Sequence, residues 1–213
     1  MRKGEPMGTH QHWDDVYKKK SAEVVTWYQP HLEQSLAWIE RHAPDRAARI
    51  VDAGGGASTL VDDLLARGYA NLAVIDLSQE ALAQSQARLG ARAGEVDWVV
   101  GDVREADVEA QSVDVWHDRA VFQFLTDPAA QNAYVDAMLR SVRPGGLVII
   151  ATFEPEGPQR CSGLPTLRCS PEEISAAMGE GFALVERASE EHTTPSGATQ
   201  KFSYALLRRG SQV

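Results

Sequence analysis

A doubly wound α/β fold, with a mostly parallel seven-stranded sheet and an antiparallel C-terminal hairpin, is what this chain predicts, and three observations lead there. From residue 49 to residue 153, short β-type runs alternate with amphipathic helical stretches across short connections, the pattern of parallel strands covered on both faces. The first of these runs ends in Asp52-Ala53-Gly54-Gly55-Gly56-Ala57-Ser58, so a strand turns sharply through glycine into a helix. The last two β-type runs are separated by Thr193-Thr194-Pro195-Ser196-Gly197, a turn cluster that pairs them antiparallel. At 213 residues the chain accommodates one such domain with a substantial core and is short for two.

Taken in order, residues 1–11 read as a disordered leader and residues 12–213 as the single domain, opened by a helical cap over 12–44. Trp13, Val16 and Tyr17 fall at i, i+3, i+4 and predict a short amphipathic helix. Pro30 opens a second helix over about 31–41, with Leu32, Leu36 and Ile39 as its buried stripe, and Pro44 ends the cap. The core then runs strand 49–53, helix 58–67, strand 71–76, helix 79–89, strand 96–100, strand 112–117, helix 128–141 and strand 147–153. Ser78 is placed to cap the helix at 79–89, which stops at Gly90. A Gly/Pro/Arg-rich stretch follows Pro155, then a helix at 171–178 and strands near 182–190 and 200–207.

Composition removes several function classes. The net charge is −9 and the longest basic run is Lys18-Lys19-Lys20, so no broad phosphate-binding surface, and hence no nucleic-acid partner, is expected. No apolar stretch reaches the ~20 residues of a membrane span, and the N-terminus lacks a signal-peptide core, which together predict a cytoplasmic protein. Cys161 and Cys169 read as free thiols, without the four-ligand spacing of a zinc site. His10 and His12 sit in a polar tail and read as solvated, so no metal is expected.

The glycine turn aims backbone N–H groups and a helix N-terminus at one pocket beside the Asp52 carboxylate, which is a nucleotide-binding arrangement. It departs from the dinucleotide fingerprint, because Gly54 and Gly56 give G-x-G while Thr59 holds the place of the third glycine. Asp76 ends the second strand, where an acid accepts hydrogen bonds from both ribose hydroxyls of an adenosine, that of NAD included; its other reading is a surface acid or helix cap. Gly101-Asp102-Val103 ends the third strand, Asp114-Val115-Trp116-His117-Asp118-Arg119-Ala120 the fourth, and Arg143-Pro144-Gly145-Gly146 precedes the fifth.

In this order and spacing, over roughly residues 12–153, these motifs resemble those of the class I S-adenosylmethionine-dependent methyltransferases. The resemblance implies a Rossmann-like methyltransferase fold and S-adenosylmethionine as cofactor. It implies that Asp52, Gly54, Gly55, Gly56 and Ser58 hold the methionine part and that Asp76 with Leu77 holds the ribose. Asp102 would receive the adenine amino group while the Val103 N–H meets the ring; Trp27 and Tyr28 are aromatic candidates to stack on the sulfonium or cover it as a lid, with core packing of an N-terminal helix onto the sheet as their structural alternative. Ser58, the run Trp13-Asp14-Asp15-Val16-Tyr17, Trp27-Tyr28 and the pair Asp118-Arg119 look like the branch containing the lysine methyltransferases of citrate synthase and of elongation factors.

Methyl transfer from a sulfonium is an in-line displacement that requires the nucleophile about 3 Å from the methyl carbon, water excluded and a route for one proton. His117 and Asp118 are the catalytic candidates, with a buried strand histidine and a loop-ordering or N-cap aspartate as their structural alternatives. Arg160, Glu191 and His192 are the substrate-binding candidates. A small molecule is the favoured acceptor, a protein lysine the alternative, and a metalloid held by the two thiols a minor one. A nicotinamide oxidoreductase shares the first turn and Asp76 but fits Thr59, Asp52 and the final hairpin poorly, and a catalytically silent nucleotide-binding module is the remaining class.

Overall fold

The computed structural model describes residues 8–211. The expected leader therefore falls mostly on residues 1–7, outside the described residues, whereas His10 and Gln11 already belong to helix α1 (His10–Lys19). That helix starts ahead of the expected position because the Thr9 side chain accepts a hydrogen bond from the His12 backbone N–H, a cap that the polar composition masked. Helix α2 (Glu33–His42) buries Leu36 and Ile39, with Leu32 at its N-cap.

Seven strands form the sheet: β1 (Arg49–Ala53), β2 (Asn71–Asp76), β3 (Val96–Val100), β4 (Val113–Arg119), β5 (Val142–Phe153), β8 (Phe182–Thr193) and β9 (Thr199–Arg209). Their order is β3-β2-β1-β4-β5-β9-β8, parallel except for β9, which runs antiparallel to both β5 and β8. The central strands are apolar on both faces, Ile50, Val51, Val74, Val115, Val148 and Ile149 all being buried, as a sheet covered by helices on each side requires.

Helices α3 (Leu60–Ala66), α4 (Gln79–Leu89), α5 (Pro128–Ser141) and α6 (Pro171–Met178) link and cover the strands, with α5 against β5 and α6 against the β8–β9 hairpin. Ser78 caps α4 by accepting from Ala81 N, and Ser170 with Glu173 forms a full capping box on α6. Helix α1 lies on α4, held by Asp14, which accepts from the Ser78 hydroxyl at 2.8 Å and Glu80 N at 3.2 Å.

Three local differences matter for the site. Strand β4 continues to Arg119, and β8 and β9 stay paired as far as Thr193 and Thr199, so Glu191 and His192 lie within a strand rather than in its turn. Strand β5 begins at Val142, because Arg143 to Gly146 already follow the sheet. The Pro/Gly-rich stretch contains a small hairpin, β6 (Arg160–Cys161) and β7 (Leu164–Pro165), turned by Ser162 and Gly163 at φ 49° and 80°. Two-residue strands carry no readable periodicity, which is why it was not expected. Among the described residues, no helix is long and apolar enough to cross a membrane.

Candidate active site

The strand order reverses between β1 and β4, so their connections leave in opposite directions and open a crevice at the carboxyl edge of the sheet. Each glycine of the first turn makes room for something specific there. Gly54 and Gly56 adopt φ of 71° and 41°, values that favour glycine. A Cβ on Gly54 would stand 1.9 Å from Val121 Cγ2, one on Gly55 2.4 Å from Asp52 Oδ2, and one on Gly56 2.7 Å from Asp76 Oδ2. The turn is thus packed against both strand-end acids. Gly55→Ala is a test of this packing: the added methyl displaces the Asp52 carboxylate, and calorimetry should find S-adenosylhomocysteine bound about tenfold more weakly, ~1.4 kcal/mol.

Parallel register sets Asp52 on β1 directly beside His117 on β4. His117 Nδ1 donates to Asp52 Oδ1 at 2.7 Å, and its Nε2 accepts from the Ser35 hydroxyl of α2 at 2.8 Å. All three side chains are buried. Asp52 Oδ2, by contrast, is buried with no hydrogen-bond partner among the described residues, an acceptor open to a donor from a ligand. It faces a cradle of about 470 Å³ lined by Gly54, Gly55, Ser58, Tyr28, Gln29 and Arg119, with His117 in its wall. His117 is thus buried with both ring nitrogens engaged by Asp52 and Ser35, the arrangement of the buried strand histidine given as its structural alternative.

A wider crevice of about 620 Å³ continues from this cradle, sharing Gly54, Tyr17, Trp27 and Arg119 with it, and is lined by Asp76, Leu77 and Val103 on one side. Asp76 accepts from Ser78 N at 2.7 Å, and burial, with the nearby charges of Asp52 and Asp14 adding to it, pushes its carboxyl up to about 7. Below that pH the free carboxyl is largely protonated, whereas ribose hydroxyls donating to it favour the ionised form. Binding of S-adenosylhomocysteine should therefore release protons between about pH 6 and 7 and weaken as the pH falls. Calorimetry in two buffers of different ionisation enthalpy measures that release, and Asp76→Asn should abolish it.

Five expected site residues face elsewhere. Asp118 is fully buried: its carboxylate accepts from Val121 N at 2.9 Å, Phe122 N at 3.0 Å and the Tyr134 hydroxyl at 2.6 Å. Both of its oxygens are engaged in holding the loop after β4. Asp102 is clamped by the side chain and backbone N–H of Arg104, which hold its carboxyl below the usual range despite a larger opposing effect of burial, and Val103, not Asp102, lines the crevice. Arg160 bonds the Gly163 carbonyl within its own hairpin, and Glu191 is exposed on the outer face of β8. His192 is buried and donates to Thr26 O at 2.7 Å, which pins the cap to the sheet.

Residues that sequence reasoning passed over occupy the places left. Arg119 lines both cavities, donating to Trp27 O at 2.9 Å and the Tyr204 hydroxyl at 3.1 Å, and pairs with Glu190 at 3.4 Å. The Gln29 side-chain amide donates to Glu190 Oε1 at 2.9 Å, and the Gln29 backbone carbonyl accepts from the Thr59 hydroxyl at 3.0 Å. The segment carrying Trp27 and Tyr28 is thereby fastened as a roof. Alternation along a strand was the usable signal, since Arg119 shares the face of His117 and Glu190 that of His192.

A model of the methyltransferase domain matches residues 50–146. The ubiquinone biosynthesis O-methyltransferase of Aromatoleum aromaticum is 29% identical over 145 residues, 68% of this chain and 58% of that protein. The human EEF1A lysine methyltransferase 2 is 23% identical across 97% of this chain and 84% of its own. The present chain thus spans little more than half of the quinone-pathway relative. Among solved structures, one described as "Conversion of a Disulfide Bond into a Thioacetal Group during Echinomycin Biosynthesis" superposes with a TM-score of 0.74 at 20% identity, over 96% of this chain and 93% of that one. The N-methyltransferase NodS of Bradyrhizobium japonicum does so with a TM-score of 0.68 at 16% identity, over 92% and 97%. These likenesses concern the fold.

Sheet order, the acid-and-glycine corner and the matched domain together define the Rossmann-like methyltransferase fold. Residues 50–146 match the methyltransferase domain, and the chain is similar to S-adenosylmethionine-dependent methyltransferases. Its residues fit that cofactor: an unpartnered buried oxygen of Asp52 awaits a donor, glycines leave space beside it, and a second enclosed acid, Asp76, stands one strand away.

Proposed function

We propose that this protein transfers the methyl group of S-adenosylmethionine to a small-molecule acceptor. The observation that carries the reading is the unpartnered Asp52 Oδ2 in a glycine-walled cradle that opens toward Asp76. When bound, the cofactor supplies a methyl group activated on a sulfonium. Asp52, oriented by His117 and Ser35, accepts from the ammonium of the methionine part. Asp76 accepts from the ribose hydroxyls, Leu77 and Val103 flank the adenine, and Trp27 and Tyr28 roof the site against water. A small acceptor is favoured because the acids lining the two cavities, Asp52 and Asp76, are both in cofactor positions, which leaves none for a lysine ammonium.

A protein-lysine acceptor is the second reading, favoured by the likeness to EEF1A lysine methyltransferase 2 along nearly the whole chain. Titration with S-adenosylhomocysteine and with NAD tests the primary claim: the first is expected to bind and the second not. Binding of NAD alone would sink it. Incubation of a cell extract with methyl-labelled cofactor separates the acceptors, since label entering the small-molecule fraction supports the first reading and label in protein the second.

A further inference from the structure

Asp52 Oδ2 is not alone in its cradle. Gln29 lines the same cavity, and its side-chain oxygen, Oε1, is a second buried acceptor with no hydrogen-bond partner among the described residues. The rest of Gln29 is held from two sides. Its backbone carbonyl accepts from the Thr59 hydroxyl, just past the glycine turn, and its side-chain nitrogen donates to Glu190 Oε1 on β8 at 2.9 Å. Glu190 is fixed in turn, accepting from Arg119 Nη2 and from the Tyr204 hydroxyl, each at 3.4 Å. A carboxylate only accepts, so Glu190 dictates which end of the Gln29 amide it meets, the N–H end. The amide oxygen is the end left over, enclosed and turned from Glu190.

Two enclosed acceptors in one cavity call for a ligand group that carries several donors, since each acceptor left unmet is costly. An ammonium brings three N–H donors and a positive charge, whereas a hydroxyl brings a single donor and no charge. The kind of acceptor fits as well. Asp52 supplies one negative charge to balance an ammonium, while the neutral Gln29 amide adds a bond without a second charge that would repel the Asp52 carboxylate. The ribose hydroxyls have their own acid, because Asp76 lines the wider crevice and not this cradle.

We propose that Gln29 is a cofactor-binding residue: its amide oxygen accepts one N–H of the ammonium in the methionine part while Asp52 Oδ2 accepts another; this rests on the methyltransferase reading above. Gln29 follows directly on Trp27 and Tyr28, so the bond it makes to the ammonium also fastens the aromatic roof over the loaded site. Cofactor recognition thereby draws on three parts of the chain: the glycine turn, the segment before α2, and β8 through Glu190.

S-adenosylhomocysteine and its deaminated analogue, in which hydrogen replaces the ammonium, are the probes, each titrated by calorimetry against the full chain near neutral pH. Two acceptors on one ammonium should give the parent a preference for S-adenosylhomocysteine of ~100-fold or more. Gln29→Met keeps the length of the side chain and removes its amide; it should cut that preference about tenfold and leave the affinity for the analogue within about twofold of the parent. Asp52→Ala should still prefer S-adenosylhomocysteine by about tenfold, because Gln29 remains, and the double variant should show no preference. Equal weakening of both ligands in Gln29→Met makes Gln29 a fastener of the roof, which lines both cavities through Trp27, and overturns the proposal, as does no change in either ligand. Loss of all preference in Asp52→Ala overturns it too, by a measurement that needs no Gln29 variant to fold. Absence of S-adenosylhomocysteine binding to the parent chain overturns the cofactor reading instead.

Discussion

Asp52→Ala is expected to weaken S-adenosylhomocysteine by ~150-fold, about 3 kcal/mol, the scale for truncating one partner of a buried, hydrogen-bonded charge pair. Two losses contribute. The ligand's donor no longer meets Asp52 Oδ2, and His117 Nδ1, 2.7 Å from Oδ1 in the parent, is left buried without its acceptor. Asp52→Asn separates them, because it retains a hydrogen-bond acceptor of the same shape but not the charge, and it should fall between parent and alanine. Ser35→Ala removes only the far end of the chain and should cost less than either, while moving cofactor affinity rather than acceptor affinity. Calorimetry on the three variants, with thermal melts to check folding, decides the matter. An unchanged affinity in Asp52→Ala would mean that the corner does not hold the ligand.

Asp118→Ala should instead be a stability variant. It strips the acceptor from Val121 N, Phe122 N and the Tyr134 hydroxyl, all packed in the core side of the loop. At ~1–3 kcal/mol for each buried donor left unsatisfied, and with less than full additivity, a loss of about 4 kcal/mol follows. For a domain of this size that lowers Tm by ~8–16 °C. Turnover at low temperature, where the variant remains folded, should stay within a few-fold of the parent. A collapse of turnover at unchanged Tm would restore Asp118 to the chemistry.

The same carboxyl supplies a pH signature. Burial, only partly offset by its hydrogen bonds, raises it to about 6, above its unfolded value near 4. A folded pKa above the unfolded one means stability present in acid and lost as the pH rises from about 4 through 6. Asp118→Asn cannot ionise, so its melting curve should lack that component of the decline.

Much of the architecture was legible locally. Strands at 49–53, 71–76 and 96–100 and helices at 79–89, 128–141 and 171–178 fall where periodicity and caps predict them. Ser78, Asp127 and Ser170 explain why: each caps its helix by accepting a backbone N–H within the next three residues, so the signal lies in the sequence itself. The β6–β7 hairpin and the full lengths of β8 and β9 were not legible, although the turn between the latter two was, since partners across the sheet, not local propensity, decide how far a strand extends.

What the chain determines by itself is where its chemistry-bearing residues stand: Asp52 and Asp76 at strand ends and three glycines in one turn, all specified by neighbours within a few positions. What each of those groups does was decided only by tertiary structure. Asp52 has His117, 65 residues away, on one oxygen and none of the described residues on the other, whereas Asp118 has both oxygens taken by its own loop and by Tyr134. Two aspartates of identical chemistry become a ligand holder and a loop anchor because a carboxylate acts through whichever lone pairs the folded protein leaves unfilled, and that depends on contacts no local pattern encodes.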